Sequence, residues 1–589
     1  MIKRLAYLLL LLFASSANAQ YYLRGEIRDE KNQPLQNVKI MLLSNRHAYT
    51  SGISGGFGIT VNVLYDSLSL SLDGYESKTV RVKSDQWQDI TLNVLPSNAN
   101  RNRPSLISIT KNLNQSSRAR WYVNEETYFQ IVENEFVDAG KFPNTGFSLN
   151  INKASYSNIR RFINRESRVP PDAVRTEELL NYFNLNYHEP EDGNIFDMRS
   201  QLTSCPWDAE RQLLVLNVNA KKLDLERAPP SNFVFLIDVS GSMDMPNRLP
   251  LLKAAFQMLV KNLRVKDTVS IVIYGGNVGI WLQPTGGAEK DKIIRSIEEL
   301  TANGDTPGEA AIMTAYKLAE KTFIKGGNNR VILATDGDFN VGLTSEKALD
   351  DLITKERQTG VYLTCLGVGM GNFKDSKLET LAKRGNGNFA YLDDIKEAEK
   401  VLVKELSQTF YAVADDVYMN IQFNSKYISS YRLIGFDNKR DAVLDSTIDL
   451  EGGEIGSGNS VLAIFEVVPA SDNLFLNEDA NNRNAVATIS LQYGMCNDTV
   501  HMQMVKDCPA NYVEFKNLDK PLQFATAVVM FALKLKQSKH IKDVDWDDIT
   551  SIATASYDAQ SYLQTDFLSL VEKAKKIYSQ KKKKKKGEY

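Results

Sequence analysis

The amino-acid sequence predicts a multidomain protein in which a central, doubly wound α/β domain is flanked by β-sandwich domains and followed by a C-terminal helical segment. Three observations lead to this prediction. The chain has 589 residues, which is more than one hydrophobic core normally serves. Strand-like and helix-like segments alternate regularly from 232 to 410, as is typical of a mostly parallel sheet covered by helices. The parts before and after this stretch contain mainly short strand patterns.

The N-terminal residues have the pattern of a secretory signal. Two basic residues precede an apolar run, 5–14, which is followed by small residues up to Ala19. We therefore predict a signal peptide over 1–19, cleaved after Ala19, and an exported protein in the periplasm or at the cell envelope or surface. The apolar run and the next most apolar stretch, 524–533, are both too short to cross a bilayer. We expect no transmembrane helix after signal cleavage.

Residues 20–95 contain short strand patterns separated by turn residues, which predicts a small β-sandwich. Several of its stretches resemble the carboxypeptidase regulatory-like module, namely 25–29, 34–38, 55–59 and 73–76. The resemblance implies an accessory domain without catalysis of its own. Residues 96–120 are rich in Ser, Asn and Arg and are predicted to form a flexible linker.

Residues 121–230 are predicted to form an α+β region, and residues 231–411 the α/β domain. The first strand of this domain, 233–237, is an apolar run that is too short for a helix and suits a strand buried on both faces. The pattern then predicts helices at 249–263, 290–300, 308–322, 345–359, 376–384 and 395–410, and strands at 268–274, 278–282, 330–334, 361–368 and 388–392.

Oxygen-bearing side chains follow two strands of this domain. Asp238, Ser240 and Ser242 come directly after the first strand. Asp336 follows a later strand, and Thr306 precedes a proline at the predicted start of a helix. Because ligands in an open α/β sheet gather at the carboxyl ends of the strands, we expect these loops to converge. Oxygen ligands of this kind suit a hard cation such as Mg²⁺.

These five residues resemble the metal-ion-dependent adhesion site of the von Willebrand factor A family, which reads D-x-S-x-S, then a Thr, then an Asp. The resemblance implies that a divalent cation is held by Asp238, Ser240, Ser242 and Thr306, with Asp336 acting through water. Mg²⁺ is the preferred ion, with Ca²⁺ and Mn²⁺ as alternatives. In this family, an Asp or Glu carboxylate from a protein partner completes the coordination. The implied function is metal-dependent protein binding.

Two further parts of the chain resemble an exported bacterial subfamily of the same family. The segments 147–156 and 172–183 resemble the domain that precedes the A domain in this subfamily. The segments 453–458 and 461–467 resemble its C-terminal domain. The resemblance therefore extends over most of the chain beyond the signal peptide.

After the α/β domain, strand patterns predict a second β-sandwich over 412–515, followed by helices within 516–580 and a basic tail at 581–589. Cys496 and Cys508 flank a strand-like segment. They could pair in an oxidising compartment, or they could stay free thiols, and their spacing leaves both options open.

Composition and histidine placement argue against nucleic-acid binding and against catalysis. The net charge of −2 offers no basic footprint for nucleic acid. Acid–base chemistry beside a metal usually needs a His, and the four histidines all lie outside the α/β domain: His47, His188, His501 and His540. We therefore predict that the protein is not an enzyme.

Two other functions stay open at this point. The first is a Mg²⁺-dependent hydrolase of phosphate esters with Asp238 as the nucleophile. A D-x-D motif would support it, but Ser240 stands where the second Asp is required. The second is a structural A domain with an empty metal site.

Overall fold

The computed structural model describes residues 21–93, 120–149, 152–304, 308–337, 353–437, 440–441, 453–470, 485–495 and 501–579, except 31, 46, 53, 73, 74, 124, 125, 192, 276, 371, 372 and 542. The chain divides into two compact units, 1–102 and 103–589. The predicted signal peptide, the linker up to 119, the predicted ligand Thr306 and the basic tail lie outside the described residues. Residues 345–352 of the predicted helix 345–359 also lie outside the described residues.

The described residues of the first unit form seven strands: β1 Tyr21–Asp29, β2 Lys39–Leu42, β3 Ala48–Thr50, β4 Gly56–Val61, β5 Tyr65–Ser71, β6 Lys78–Lys83 and β7 Trp87–Leu92. One sheet has the order β4-β1-β7 and the other the order β3-β2-β5-β6. Both sheets contribute to one apolar core, because alternate residues such as Leu23 and Ile27 in β1 point inward. The assignment of this unit to the carboxypeptidase regulatory-like type stays a prediction.

The second unit begins with strands and two helices: β8 Arg120–Val123, β9 Glu126–Phe129, β10 Val137–Asp138, β11 Asn144–Ser148, α1 Ala154–Asn164, α2 Thr176–Leu180, β12 Phe196–Ser204 and β13 Gln212–Ala220. A short 3₁₀ helix, Pro171–Ala173, lies between α1 and α2. These elements precede the α/β domain in the chain.

The α/β domain consists of β14 Ser231–Asp238, α3 Leu249–Lys261, β15 Thr268–Gly275, β16 Asn277–Gly286, α4 Lys290–Glu298, α5 Gly308–Lys321, β17 Asn328–Thr335, β18 Tyr362–Gly367, α6 Asp375–Arg384, β19 Phe389–Tyr391, α7 Ile395–Glu399 and α8 Leu406–Phe410. The sheet order is β16-β15-β14-β17-β18-β19. Only β16 runs antiparallel to its neighbour in this sheet. The prediction of a central α/β domain is confirmed.

Residues of β14 point alternately into two apolar cores, one on each face of the sheet. Phe233, Phe235 and Ile237 belong to the core that contains α3. Val234 and Leu236 belong to the core that contains α5. Because all eight residues of β14 are buried, its central part, 233–237, reads as an uninterrupted apolar run in the sequence.

After the α/β domain come β20 Ala412–Phe423, β21 Ile428–Ile434, β22 Arg440–Asp441, β23 Gly453–Gly456, β24 Ser460–Pro469, β25 Ala485–Gly494, β26 His501–Pro509 and β27 Tyr512–Val513. One sheet has the order β10-β21-β24-β13-β12-β27, and another has the order β22-β11-β20-β25-β26, with β23 paired to β20. The two sheets share an apolar core in which Cys508 is a buried free thiol, whereas Cys496 lies outside the described residues.

Strands from both sides of the α/β domain therefore pair in the same two sheets. β13 pairs antiparallel with β24, and β11 pairs antiparallel with β20. The predicted regions 121–230 and 412–515 thus share their sheets instead of forming one structure each. A pairing between strands so distant in the chain leaves no local sequence pattern, because hydrophobic periodicity reports only on which residues of one element are buried.

The described residues from 520 to 579 form three helices, α9 Lys520–Lys536, α10 Trp546–Ser556 and α11 Tyr562–Ser579. They share an apolar core with α1 and α2, in which the rings of Phe183, Phe524 and Phe567 contact one another edge to face. None of the helices within the described part of the chain is long and apolar enough to span a membrane.

Candidate metal centre

Asp238 and Asp336 lie at the carboxyl ends of two neighbouring parallel strands, β14 and β17. The chain enters the sheet at β14, continues to β15 on one side and later returns to β17 on the other. Loops diverge where the winding direction changes in this way, and open α/β sheets bind ligands at such a point. Both carboxylates are fully buried. The predicted convergence of the two acidic turns is therefore present in the fold.

The Asp238 carboxylate is held by two hydrogen bonds. Its Oδ1 accepts the backbone N–H of Ser240 at 2.9 Å, and its Oδ2 accepts the Thr335 hydroxyl at 2.8 Å. Burial raises the pKa of Asp238 to about 6, although these hydrogen bonds favour the charged form. Thr335 was not among the predicted site residues. It is the last residue of β17, and nothing in the motif distinguishes its hydroxyl from that of any other strand threonine.

Ser240, Ser242 and Asp336 form a continuous row of oxygen atoms. Ser240 Oγ and Ser242 Oγ lie 3.1 Å apart, and Ser242 Oγ donates to Asp336 Oδ2 at 2.9 Å. A short 3₁₀ helix, Gly241–Met243, turns both hydroxyls to the same side. Four of the five predicted site residues are thus brought together from two separate turns.

The turn after β14 is supported by its neighbours. Val239 donates its N–H to the Tyr274 carbonyl at 2.8 Å, and its own carbonyl accepts the N–H of Asn303 at 2.6 Å. Gly241 donates to the Gly304 carbonyl at 3.0 Å. The loop that leads toward Thr306 therefore contacts the turn that carries the two serines. The position of Thr306 itself is not described, so its role as a ligand stays a prediction.

Arg248 also contacts the candidate centre, although it was not among the predicted site residues. Its Nη1 donates to Asp336 Oδ2 at 2.6 Å and to the Ser242 carbonyl at 2.6 Å. Its Nη2 donates to the Met370 carbonyl at 2.9 Å. The side chain is only 5% exposed, so its positive charge is buried next to Asp336. An arginine ten residues after the first aspartate has no local signal that would assign it to the site.

The donor set fits a hard divalent cation. Mg²⁺ prefers octahedral coordination by oxygen ligands. Ser240, Ser242 and Asp336 present oxygen atoms within hydrogen-bonding distance of one another. Where the structure describes the chain, no group of three or more His, Cys, Asp or Glu side chains could hold a metal. Soft or imidazole-rich coordination is therefore not offered by these residues, and the candidate centre depends on hydroxyl oxygens.

Comparison with known proteins gives three family matches along the chain. A family described as von Willebrand factor type A domain matches residues 233–338. A family described as von Willebrand factor matches residues 122–215. A family described as Uncharacterized protein YfbK, C-terminal, matches residues 408–577. The resemblance of the α/β domain and of the segments on both sides of it is thereby confirmed.

Three individual proteins illustrate these similarities. Protein YfbK of Escherichia coli (strain K12) is 35% identical over 469 residues, which is 76% of this chain and 80% of YfbK. The magnesium-chelatase 67 kDa subunit of Chlorobaculum parvum is 25% identical over 37% of this chain and 39% of its own length. A solved von Willebrand factor type A protein from Catenulispora acidiphila has a TM-score of 0.39 at 15% identity, covering 66% of this chain and 90% of its own. Because the similarity to YfbK spans most of both chains, the protein belongs to the YfbK family of von Willebrand factor type A domain proteins.

Proposed function

We propose that the chain is an exported, non-enzymatic protein-binding module. In this proposal, Asp238, Ser240, Ser242, Thr306 and Asp336 hold a divalent cation that captures an Asp or Glu carboxylate of a partner protein during assembly of an envelope or surface complex. The observation that carries it is the row of hydroxyl and carboxylate oxygens from Ser240 to Asp336. Proteins with von Willebrand factor type A domains are typically protein-interaction modules and commonly bind a divalent metal.

The centre contains both charged and uncharged oxygen donors. Asp238 and Asp336 carry the negative charge, and Ser240 and Ser242 contribute uncharged oxygens. A bound divalent cation would supply a positive charge that attracts an incoming carboxylate. We propose Mg²⁺ as the ion, since the donors are hard oxygens. One relative is named a magnesium-chelatase subunit, which is in keeping with this ion.

Isothermal titration of the full chain with Mg²⁺ tests the metal site. We expect saturable binding by the wild-type chain and a loss of binding in Asp238→Ala. Circular dichroism of the variant serves as the folding control, because Asp238 is fully buried. Equal binding by both chains, or no binding by the wild type, would contradict the proposal.

A pull-down from envelope extract tests the binding function. The immobilised chain is exposed to extract in Mg²⁺ or in EDTA, with Asp238→Ala as the matched control. We expect a partner that is retained only by the wild-type chain in Mg²⁺. If the partner were retained equally in Mg²⁺ and in EDTA, its binding would not depend on the metal centre. This result would count against a carboxylate bridge.

A phosphate-ester hydrolase is the second candidate, from another class, and the sequence does not favour it. A D-x-D phosphotransfer motif would support this function, but Ser240 stands where the second Asp is required. Phosphatase assays with Mg²⁺ should therefore show no turnover above that of Asp238→Ala. Metal-dependent turnover would favour the hydrolase.

Export is tested on the mature protein. We propose that residues 1–19 are removed and that the chain resides in the periplasm or at the envelope or surface, with a carboxypeptidase regulatory-like module at its new N-terminus. N-terminal sequencing of protein purified from the native cell should begin at Gln20. A chain that begins at Met1 and fractionates with cytoplasmic markers would refute this part of the proposal.

A further inference from the structure

Arg248 joins three loops at the carboxyl edge of the α/β sheet. Its guanidinium donates to the Ser242 carbonyl in the loop after β14, to Asp336 after β17 and to the Met370 carbonyl after β18. The first two contacts are both 2.6 Å long. A planar guanidinium can satisfy several acceptors in fixed directions, which a lysine ammonium does not reproduce. The position of this charge relative to the oxygen row is therefore well defined.

The loop that contains Gly369 restricts the position of the Arg248 side chain. A Cβ built on Gly369 would lie 2.5 Å from Arg248 Nε, so the side chain passes where only a glycine allows it. Gly369 also has a positive φ of 80°, and its carbonyl accepts the Tyr391 hydroxyl. The loop that carries Gly369 is thus held against the guanidinium. This arrangement holds the arginine beside Asp336.

The charge count of the centre changes with this arginine. Asp238 and Asp336 bring two negative charges, and Arg248 compensates one of them through a buried contact. A divalent cation would then leave the centre with a net charge of plus one, whereas without Arg248 the same cation would be neutralised. In a buried site such a difference is weakly screened by solvent and salt.

We propose that Arg248 is a built-in counter-cation that sets the ion affinity of this centre. It keeps Asp336 paired when no divalent ion is bound, and it lowers the affinity for that ion so that the bound ion retains positive charge for the carboxylate of a partner. Arg248 is in this sense a positioning residue that acts through Asp336. The inference rests on the proposed metal-binding function of the same site.

Arginine substitutions in the full chain separate charge from structure. Arg248→Met removes both the charge and the hydrogen bonds, Arg248→Gln removes the charge but keeps an amide donor, and Arg248→Lys keeps the charge. Arg264→Met is the matched control. Arg264 also binds backbone carbonyls and an aspartate, Asp267, within the same domain, but at the opposite end of the sheet.

Two quantities are measured for each chain: the dissociation constant for Mg²⁺ by isothermal titration, and the melting temperature in EDTA and in Mg²⁺. For Arg248→Met and Arg248→Gln we expect Mg²⁺ binding about tenfold tighter than wild type, since one opposing charge is removed. We also expect a lower melting temperature in EDTA and a larger rise on adding Mg²⁺, because the ion replaces the missing counter-charge. Arg248→Lys keeps the charge but not the directions of the guanidinium, so it should bind Mg²⁺ less tightly than Arg248→Met. Arg264→Met should lose stability without any change in its response to Mg²⁺.

The outcomes distinguish a failure of the role of Arg248 from a failure of metal binding itself. Neutral variants that bind Mg²⁺ as tightly as the wild type or more weakly would overturn the inference, as would an Arg248→Lys chain that binds Mg²⁺ more tightly than Arg248→Met. Neutral variants that fold only when Mg²⁺ is present would support it, and variants that fold in neither condition would overturn it. If the wild-type chain bound no divalent cation, both this inference and the proposed function would fail, which distinguishes that result from a failure of the arginine's role alone.

Discussion

Arg330 and Glu454 form a buried ion pair between β17, the strand that ends at the candidate centre, and β23 of the following sheet. Arg330 Nη1 lies 3.2 Å from Glu454 Oε2, and Nη2 contacts the other carboxylate oxygen. Nη1 also donates to the Thr364 hydroxyl at 2.8 Å. Both charged side chains are at most 1% exposed. The pair fixes the α/β domain to the sheets built from the segments on either side of it.

Removing one member of this pair should be costly. We expect Arg330→Met to lower the free energy of unfolding by about 3–5 kcal/mol, because Glu454 is then left as an uncompensated buried charge. The double variant Arg330→Met/Glu454→Leu should regain most of this loss, since apolar groups of similar size remove the charge. Urea unfolding followed by circular dichroism measures both. A double variant that is no more stable than Arg330→Met would contradict the explanation by an uncompensated buried charge.

Truncating Ser242 should weaken ion binding more than it weakens the fold. The hydroxyl is half-buried, lies in the oxygen row and donates to Asp336. We expect Ser242→Ala to reduce Mg²⁺ affinity about tenfold, with a stability loss of about 1–2 kcal/mol for the missing charge-assisted hydrogen bond. Titration calorimetry and thermal unfolding measure the two effects.

Ser270→Ala is the control for this change. Ser270 is buried in the neighbouring strand β15, and its hydroxyl has no hydrogen-bond partner among the residues that the structure describes. Its loss should leave Mg²⁺ affinity unchanged. If both variants affected Mg²⁺ equally, the effect would come from the sheet as a whole and not from the oxygen row.

A side chain at Gly275 should disturb the turn after β14. A Cβ at this position would lie 2.6 Å from the carbonyl carbon of Val239 and 2.7 Å from the N atom of Ser240. We expect Gly275→Ala to destabilise the chain by about 2–3 kcal/mol and to weaken Mg²⁺ binding, because the backbone that positions Ser240 must move. Gly279→Ala is the matched control, since no atom lies within 4 Å of a Cβ built there. If Gly275→Ala and Gly279→Ala had the same stability and the same Mg²⁺ affinity, the turn would accommodate the methyl group without moving the site.

Acidification should destabilise the second unit through His540. Burial lowers the pKa of His540 to about 4, and the positive charges of Arg432, Lys539 and Arg211 act in the same direction. An unfolded histidine titrates near 6.5. Between about pH 6.5 and 4 the unfolded chain therefore binds the extra proton, so stability is present above this window and is lost as the pH falls through it.

The test compares wild type with His540→Gln, which cannot take up that proton. The free energy of unfolding of the variant should fall less steeply between pH 6.5 and 4, although carboxylates titrate in both chains. Urea unfolding at several pH values measures the two slopes. Parallel curves for the two chains would show that His540 is protonated equally in the folded and unfolded states.

Much of the α/β domain is predictable from local pattern. Residues 233–237 read as a strand buried on both faces because the fold buries every residue of β14. The helix predicted at 308–322 is observed as Gly308–Lys321. Asp238, Ser240, Ser242 and Asp336 were identified because the chemistry of a strand-to-turn junction is contained in a few consecutive residues.

Other parts of the site and the fold have no such local signal. Thr335 and Arg248 contact the predicted residues only because neighbouring strands bring their loops together. The same holds for the pairing of β13 with β24, which joins segments on opposite sides of the α/β domain. Periodicity shows which face of an element is buried, but not which distant element covers it.

The order of residues along the chain was sufficient to identify the α/β alternation and the two acidic turns, whereas the cation that their oxygens suit stays a prediction. These features follow from short-range geometry, because side-chain direction and turn chemistry repeat over a few residues. Only the tertiary structure decided three other features: the shared sheets, the ion pair of Arg330 with Glu454 and the contact of Arg248 with Asp336. Each of them joins residues that are distant in sequence, and such contacts arise only when the packing of whole elements brings buried groups within a few ångströms of one another.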